Sequence, residues 1–360
     1  MSTEVDATTV SMCRRLSRRL MPLMLAMLLF VLYIATQAVL KCQATRQPYG
    51  SLGIRKLSGI PGNEVIRKLG GISGNEAIEE KSENAISKPL KAFLVILIPT
   101  GPKYLWRRNT LRQTWFKLAD DNVLQRFVIG MKSLDKEATD ELIQENKEHG
   151  DLVFLWDFND SYGGLAAKVL LTFKWLDENL DFKYVLKTDD DTFVRTELLQ
   201  KELKERNIQS KLFWGFFSGK SPVYREGIYE EKDWFLCDTY LPYAFGGGYI
   251  LSADLAHFIA SNAHWLKPYK SEDVSMGAWL SPLDVFRVHD PRFNSEHESR
   301  GCMDEYLINH KVYDEGMKAQ YKMVIETGRL CPKEVLKRRS YIYNWDVPPS
   351  QCCNRTWGII

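Results

Sequence analysis

Residues 184–192 read YVLKTDDDT, a short apolar run that leads into three consecutive aspartates, Asp189, Asp190 and Asp191. Adjacent carboxylates repel one another, so a fold keeps them at the end of a strand only where a cation or hydrogen-bond donors offset their charge. The alternative is a solvated acidic turn in front of a helix over residues 192–205. The position after a buried strand favours a metal site. Carboxylate oxygens are hard ligands, and together with a phosphate group of a bound ligand they favour Mn²⁺ or Mg²⁺ over zinc.

The sequence around this motif alternates short apolar runs with segments of helical periodicity. We predict strands over residues 92–98, 126–130, 152–156 and 184–186, and helices over residues 105–118, 136–148 and 164–179. Strand and helix in turn predict an α/β domain with a mostly parallel central sheet flanked by helices. Ligands bind such sheets beyond the carboxyl ends of the strands, where the three aspartates emerge. Because no glycine-rich phosphate loop follows the first strand, a nucleotide diphosphate would need a carboxylate-held cation as its counter-charge.

The N-terminus contains a candidate membrane anchor. Residues 20–40 are 21 residues without a charge, and a helix of that length, rising about 1.5 Å per residue, spans roughly the 30 Å of a bilayer core. Four arginines crowd residues 14–19, whereas Lys41 alone begins the far side. The positive-inside rule therefore predicts a cytoplasmic tail at residues 1–19 and a luminal remainder. A cleaved signal peptide is the alternative, although its apolar core is usually only about 7 to 15 residues long.

A stem and a large domain follow the predicted anchor. Residues 41–89 are predicted to form a flexible luminal stem, because they are rich in Gly, Ser and mixed charges. Residues 54–77 hold a tandem duplication of 12 residues, IRKLSGIPGNEV followed by IRKLGGISGNEA, and two copies are too few for a stacked repeat array. Residues 90–360 are predicted to be the catalytic domain, since about 270 residues suffice for a large core.

Composition and cysteine usage indicate a globular protein of an oxidising compartment. The chain is 45% hydrophobic and 26% charged with a net charge of +2, which predicts neither nucleic acid nor another polyanion as a partner. Six of the seven cysteines follow the anchor and are interpreted as disulfide staples of open connectivity, with Cys42 a candidate for a link between two chains. Asn159 and Asn354 stand in glycosylation motifs.

Four segments resemble, in the same order, the beta-1,3-glycosyltransferase family: RQTW at residues 112–115, KTDDDT at 187–192, FGGGYILS at 245–252 and SEDVSMGAW at 271–279. Four segments resemble the branch of that family that acts on the proteoglycan linkage region: WGFFSGK at 214–220, CDTYLPYAFGGGYILSADL at 237–255, HDPRFNSEHESRGC at 289–302 and PPSQCC at 348–353. The resemblance covers nearly all of residues 91–360 and none of the stem.

This resemblance implies a GT-A-type nucleotide-sugar glycosyltransferase that is a single-pass type II protein of the Golgi membrane with a luminal catalytic domain. It implies Mn²⁺ and inverting transfer of galactose from UDP-galactose to the 3-hydroxyl of the galactose in Gal-beta-1,4-Xyl-Ser. That acceptor, carried by proteoglycan core proteins, belongs to heparan sulfate and chondroitin sulfate biosynthesis. A homodimer or a complex with other linker glycosyltransferases is left open.

Several other functions remain alternatives at this stage. Within the family they are another acceptor or UDP-N-acetylglucosamine as donor. Outside it they are a non-catalytic luminal chaperone or lectin, a metal-dependent phosphatase, or a glycosidase that works with two carboxylates and no metal.

An inverting transfer needs a general base that takes the proton from the acceptor hydroxyl. The resemblance implies that Asp273, preceded by Glu272, is that base, and both are predicted catalytic residues. The alternative is simple helix capping, because Ser271 followed by two acidic residues favours a helix N-terminus whatever the function.

The predicted metal and donor sites use the aspartate motif. In an extended chain residues 189 and 191 point the same way, so that one carboxylate can meet the nucleotide and the other the metal. The resemblance adds His310 as a further metal ligand. The donor-binding candidates are Asp189, Asp190, Arg112 and Lys187, although the two basic residues could instead pair with neighbouring carboxylates.

The predicted acceptor site combines glycines and aromatic residues. Gly247 and Gly248 belong to a run of three glycines that allows unusual backbone angles and close approach of a ligand, with a tight turn as the alternative. Trp214, Tyr240 and Trp279 are candidates for stacking on the apolar face of a sugar, and burial in the core is the alternative for each tryptophan.

Overall fold

The computed structural model describes residues 90–360. The predicted cytoplasmic tail, membrane anchor and stem at residues 1–89, with Cys42, lie outside the described residues. Within residues 90–360 no helix combines the length and the apolar character needed to cross a bilayer.

The described chain contains twelve strands and seven α-helices. The strands are β1 (Leu90–Pro99), β2 (Val123–Gly130), β3 (Leu152–Leu155), β4 (Leu180–Thr188), β5 (Thr192–Val194), β6 (Leu212–Ser218), β7 (Tyr243–Ser252), β8 (Phe286–His289), β9 (Phe293–Asn294), β10 (Gly301–Cys302), β11 (Ile308–His310) and β12 (Val335–Leu336). The helices are α1 (Leu105–Gln113), α2 (Lys136–His149), α3 (Leu165–Asn179), α4 (Thr196–Arg206), α5 (Ala253–Ser261), α6 (Glu272–Leu280) and α7 (Asp314–Thr327).

Seven strands form the central sheet in the order β3-β2-β1-β4-β7-β6-β8. The strands β3, β2, β1 and β4 are parallel, and β8 is parallel to β6. Strand β7 runs antiparallel to both of its neighbours. The predicted α/β class is confirmed. The sheet is mixed because β7 runs opposite to its other six strands.

The sheet is central because its strands are apolar on both faces. Residues 94–98 of β1 are completely buried, as expected where helices cover both sides of parallel strands. Helix α3 packs against α5 and α6. Its buried apolar residues recur every three or four positions and so form one face: Ala166, Val169, Leu170, Phe173 and Leu176.

Two helices begin or end at other residues than the sequence predicts. The predicted helix over residues 105–118 ends at Gln113 and resumes as the 3₁₀ turn Trp115–Leu118. Thr114 interrupts it, and its hydroxyl donates to the carbonyl of Thr110. The predicted helix over residues 192–205 is also wrong at its start. Residues 192–194 are the buried strand β5 instead, because Thr-Phe-Val consists of residues that favour a pleated surface.

A small second sheet was not expected from the sequence. Strand β11 lies between β5 and β9, antiparallel to β5 and parallel to β9. Its register places His310 opposite Thr192. The end of β11 therefore lies beside the aspartates that precede β5.

The cysteines of the described region form two disulfides. Cys302 pairs with Cys331, and the sequence neighbours Cys352 and Cys353 pair with each other. Cys237 is an exposed free thiol. Two bridges and one remaining thiol agree with the predicted staples. Asn159 and Asn354 are both exposed, as glycosylation requires, and their modification stays a prediction.

Candidate active site

A pocket of about 400 Å³ opens at the carboxyl end of β4. Strand β4 leads into the three aspartates, the first turn of α6 supplies two more carboxylates, and β11 contributes its last residue. The acidic and imidazole side chains that line the pocket are Asp189, Asp190, Asp191, Glu272, Asp273 and His310. Three elements thus meet at the sheet edge where doubly wound sheets bind ligands.

Asp189, Asp191 and His310 come together as a potential metal site. One ligand atom from each lies within 4.8 Å of the others. The Nε2 atom of His310 is 3.2 Å from Asp191 Oδ1 and 3.4 Å from Asp189 Oδ2. This buried nitrogen makes no hydrogen bond to any residue in the part of the chain described. A buried nitrogen without a hydrogen bond, placed between two carboxylates, fits a divalent cation bound by oxygen and imidazole ligands.

The orientation of His310 is fixed from its other nitrogen. Nδ1 lies 3.1 Å from the carbonyl oxygen of Glu296 and donates its proton there, which leaves the lone pair of Nε2 for a cation. Burial opposes a positive charge on the imidazole, but the adjacent carboxylates of Asp189 and Asp191 outweigh it and raise the pKa of His310 to about 9. A proton on His310 and a cation therefore compete for the same two carboxylates.

The side chain of Glu296 is anchored by three arginines. Its buried carboxylate lies 2.5 Å from Arg355, 2.7 Å from Arg338 and 3.3 Å from Arg300. Arg300 is itself completely buried. The residue whose carbonyl accepts the hydrogen bond from His310 is therefore anchored by one nearby arginine and by two, Arg338 and Arg355, from distant parts of the sequence.

The glycine run has a different role from the predicted one. Gly246, Gly247 and Gly248 lie within β7, and none has a positive φ. A Cβ at Gly247 would lie 2.7 Å from the ring of His310, and a Cβ at Gly248 would lie 2.5 Å from Ile308. The glycines are needed because β11 packs directly onto β7. Gly247 lines the pocket, but Gly248 does not, so the predicted acceptor contact of Gly248 is wrong.

Lys187 connects the aspartate motif to α6. Its buried ammonium group lies 2.8 Å from Asp189 Oδ1, 2.9 Å from Glu272 Oε2 and 2.8 Å from the carbonyl of Gly246. Burial disfavours the charge, yet Asp189 and Glu272 raise the pKa of Lys187 above its usual value. The ammonium group donates two hydrogen bonds, to Asp189 and to Gly246, and forms an ion pair with Glu272. Lys187 therefore pairs with carboxylates and also lines the pocket, and its donor-binding role stays a prediction.

Asp273 faces the pocket with a carboxylate suited to accept a proton. Its Oδ2 accepts from the backbone N–H of Gly246 at 3.0 Å and its Oδ1 from that of Val274 at 2.9 Å. Burial and then the charge of Glu272 raise the pKa of Asp273 to about 6, against the opposing effect of Lys187. Asp273 is therefore ionised at neutral pH and more basic than an ordinary aspartate.

Glu272 and Ser271 do not compete for that role. The carboxylate of Glu272 is buried, accepts a hydrogen bond from the hydroxyl of Tyr249 and pairs with Lys187, so it supports the site rather than facing an acceptor. Ser271 is the N-cap residue of α6, as expected, but its hydroxyl makes no capping bond. The hydrogen bond from the Gly246 N–H to the Asp273 carboxylate joins β7 to α6. Helix capping, the alternative role of Asp273, does not explain a bond between two elements.

Asp190 points to a different set of partners from its neighbours. It accepts from Thr100 at 2.7 Å and from Arg107 at 2.6 Å. The guanidinium of Arg107 also lies 4.6 Å from the ring centre of Tyr104 and 5.5 Å from that of Tyr313. Sequence reasoning did not single out Arg107, since a basic residue at a helix start has no distinctive pattern. The donor-binding role of Asp190 stays a prediction.

Lys311 is a pocket residue that the sequence also did not single out. It follows His310, lines the pocket, and its Nζ lies 3.2 Å from Asp191 Oδ2. Its φ of 62° is in the left-handed region, which non-glycine residues adopt rarely and often at functional sites. The position next to a predicted metal ligand is the signal that could have found it.

Arg112 does not reach the pocket. Its guanidinium bonds Asp151 at 2.7 and 2.8 Å and Glu145 at 2.6 Å, and it is not among the pocket-lining residues. The predicted donor contact of Arg112 is wrong, because two buried carboxylates already use its donors.

The two tryptophans are core residues. Trp214 is 0% exposed and donates to Asp290 at 3.0 Å, while Trp279 is 4% exposed and donates to the carbonyl of Lys267 at 2.7 Å. Neither lines the pocket, so both predicted acceptor contacts are wrong. Tyr240 does line the pocket, and its acceptor role stays a prediction.

Comparison with known proteins gives consistent results. A family profile described as galactosyltransferase matches residues 106–291. "Beta-1,3-galactosyltransferase 6" of Mus musculus is 44% identical over 288 residues, which cover 78% of this chain and 89% of the mouse protein. "UDP-GalNAc:beta-1,3-N-acetylgalactosaminyltransferase 2" of Danio rerio is 36% identical over 224 residues, which cover 60% of this chain and 45% of that protein.

Proposed function

The chain belongs to the galactosyltransferase family and is a glycosyltransferase, and we propose that it transfers galactose from UDP-galactose to the 3-hydroxyl of the galactose in Gal-beta-1,4-Xyl-Ser on proteoglycan core proteins. The 44% identity to a beta-1,3-galactosyltransferase over 89% of its length carries the proposal of donor and linkage. The resemblance of residues 214–220, 289–302 and 348–353 to the linkage-region branch supports the acceptor. We also propose a GT-A-type domain and inversion at the anomeric carbon.

Asp189, Asp191 and His310 would hold the cation, for which we propose Mn²⁺. Such a cation, when bound, offsets the charge of the diphosphate and of the departing UDP. Lys311 places a second positive charge on the same side of the pocket, 3.2 Å from Asp191. The donor diphosphate would therefore lie at the His310 side.

Asp273 is the proposed base. The acceptor hydroxyl loses its proton to the Asp273 carboxylate while its oxygen attacks the anomeric carbon from the face opposite UDP, and the configuration inverts. A positioned base of this kind contributes roughly 10² to 10⁴ in rate. The hydrogen bonds from Gly246 and Val274 keep the carboxylate oriented. Lys187, in contact with both Asp189 and Glu272, sets the distance between the metal motif and the helix that carries the base.

The proposed setting is the Golgi lumen. An uncharged segment at residues 20–40 supports a type II anchor, and two disulfides in the described domain are typical of the secretory pathway.

A direct transfer assay tests the proposed function. The full chain, solubilised in detergent, is incubated with Mn²⁺ and either UDP-galactose, UDP-N-acetylglucosamine or UDP-N-acetylgalactosamine. The aryl acceptors are Gal-beta-1,4-xyloside, xyloside, N-acetylglucosaminide and N-acetylgalactosaminide. We expect galactose on Gal-beta-1,4-xyloside alone, in a beta-1,3 linkage by NMR and lost on chelation. Transfer only to another acceptor would overturn the proposed acceptor, and use of another donor would overturn the proposed donor.

A further inference from the structure

A row of aromatic rings lines the mouth of the pocket. Tyr240, Tyr224, Tyr229 and His297 follow one another, with ring centres 6.3, 6.1 and 6.5 Å apart, and all four line the pocket. Tyr240 is buried, whereas Tyr224 is 47% exposed and His297 is exposed. We call these four residues the aromatic row. It leads from the interior of the pocket to solvent.

The aromatic row reaches from the base side to the metal side. Its inner end, Tyr240, packs edge-on against Tyr243, which lines the pocket with Asp273. Its outer end, His297, directly follows Glu296, whose carbonyl holds His310. A bound molecule that places one hydroxyl at Asp273 and extends out of the pocket therefore passes along the aromatic row.

The loop that carries Tyr224, Tyr229 and Tyr240 is held in place by Glu231. This carboxylate is buried and accepts from the backbone N–H of Lys270 at 2.6 Å and of Asp233 at 3.0 Å. The backbone N–H of Glu231 donates to the carbonyl of Tyr224 at 2.8 Å. Because Lys270 lies just before α6, the row is tied to the helix that carries the proposed base. A preformed surface of this kind binds with less loss of conformational entropy.

We propose that the aromatic row binds the second sugar of the acceptor, the pyranose on the reducing side of the galactose that receives the new bond. This inference rests on the proposed function. The acceptor galactose presents its hydroxyl to Asp273, so its own glycosidic oxygen must lead outward, because a protein is attached beyond it. The next pyranose then meets the exposed ring of Tyr224 and the half-buried ring of Tyr229.

The chemistry of the row suits a xylose at this position. Aromatic rings bury the apolar C–H faces of a sugar and leave its hydroxyls at the edge. In its usual chair a β-xylopyranose carries its hydroxyls in equatorial positions, so both of its faces present C–H bonds to a ring. The row therefore suits a xylose on the reducing side of the galactose and gives the enzyme selectivity for a disaccharide over a single galactose.

The test compares two acceptors, methyl beta-galactoside and the methyl glycoside of Gal-beta-1,4-Xyl, with the full chain and its variants Tyr224→Ala, Tyr229→Ala and Tyr224→Phe. Loss of one stacking contact of roughly 1.4 kcal/mol raises KM about tenfold. We expect that rise for the disaccharide in both alanine variants and little change in KM for the monosaccharide. Tyr224→Phe keeps the ring and should behave as the parent does.

Phe235→Ala is the matched control, because Phe235 lies in the same loop, is 77% exposed and does not line the pocket. Slow hydrolysis of UDP-galactose in the absence of acceptor reports whether each variant is folded. An equal rise in KM for both acceptors, or no rise for either, would overturn the aromatic row as the second-sugar site. If the parent chain transfers to neither galactoside, the proposed function is wrong and this inference falls with it.

Discussion

The ammonium nitrogen of Lys187 lies 2.9 Å from the carboxylate of Glu272, and each side chain is only 2% exposed. The same nitrogen lies 2.8 Å from Asp189. Removal of one partner from such a buried group of charges leaves an uncompensated buried charge and is strongly destabilising. The aspartate motif and the helix that carries Asp273 are therefore joined by one side chain.

Replacement of the proposed base should remove turnover and leave donor binding. Asp273→Asn keeps the size of the side chain and an oxygen that can accept from Gly246, so we expect kcat to fall about 10² to 10⁴-fold with the Kd for UDP unchanged by calorimetry. Asp254→Asn is the matched control, since Asp254 is the second residue of α5 as Asp273 is of α6. A variant that keeps most of its transferase activity would show that Asp273 is not the base.

The pH dependence of kcat/KM should report the same carboxylate. Burial and Glu272 raise the pKa of Asp273 to about 6. A base acts only when it is deprotonated, so we expect kcat/KM to fall as pH decreases through about 6 at saturating Mn²⁺.

Glu272→Gln supplies the check on that assignment. It removes the negative neighbour, which should lower the pKa of Asp273 and move the acidic limb of the profile to lower pH. If the acidic limb of the kcat/KM profile stays at the same pH or moves to higher pH, the assignment of this limb to Asp273 is wrong.

The anchored backbone around Glu296 should control metal affinity. Glu296→Gln weakens the ion pairs with Arg338 and Arg355 and loosens the carbonyl that orients His310, so we expect the Kd for Mn²⁺ to rise by about 10 to 100-fold. Electron paramagnetic resonance of free Mn²⁺ measures this without any sugar. Glu298→Gln is the matched control, because Glu298 is exposed and pairs only with Arg338 among these arginines. Equal effects of both variants would argue against positioning through His310.

Lys311 should distinguish a diphosphate from a monophosphate. We expect Lys311→Met to weaken UDP binding about 10 to 100-fold, the size of a charge-assisted hydrogen bond of roughly 1.5 to 3 kcal/mol, and to change UMP binding little. Calorimetry at saturating Mn²⁺ provides both constants. Lys318→Met, an exposed lysine of α7 paired with Asp314, is the control. Equal losses for UDP and UMP would place Lys311 away from the second phosphate.

Sequence reasoning predicted the elements whose pattern is local. The alternation of strands and helices gave β1 to β4 and α1 to α3, and the position of Asp189 and Asp191 after β4 followed from it. Strands β9 and β11 have only two and three residues, too few for a periodic signal. The contact of His310 with the aspartates depends on how those strands pair, so resemblance rather than periodicity indicated it.

The wrong predictions concern side chains whose environment is set by tertiary packing. Trp214 and Trp279 were candidates because of their residue type, but type does not reveal whether a ring faces the core or a pocket. Arg112 was a candidate because of its charge, and its carboxylate partners come from other elements. The glycines were expected to allow unusual backbone angles and close approach of a ligand, whereas Gly247 leaves room for the ring of His310.

The two disulfides restrain the unfolded chain very differently. The bridge between Cys352 and Cys353 spans a sequence separation of 1 and closes no loop of consequence, whereas that between Cys302 and Cys331 spans 29. A loop of that length lowers the entropy of the denatured ensemble by an amount equivalent to about 3.6 kcal/mol at 25 °C. His310 lies inside this covalent ring, together with all of α7. The persistence of a cation site therefore depends on the thiol–disulfide balance of the compartment in which the chain folds.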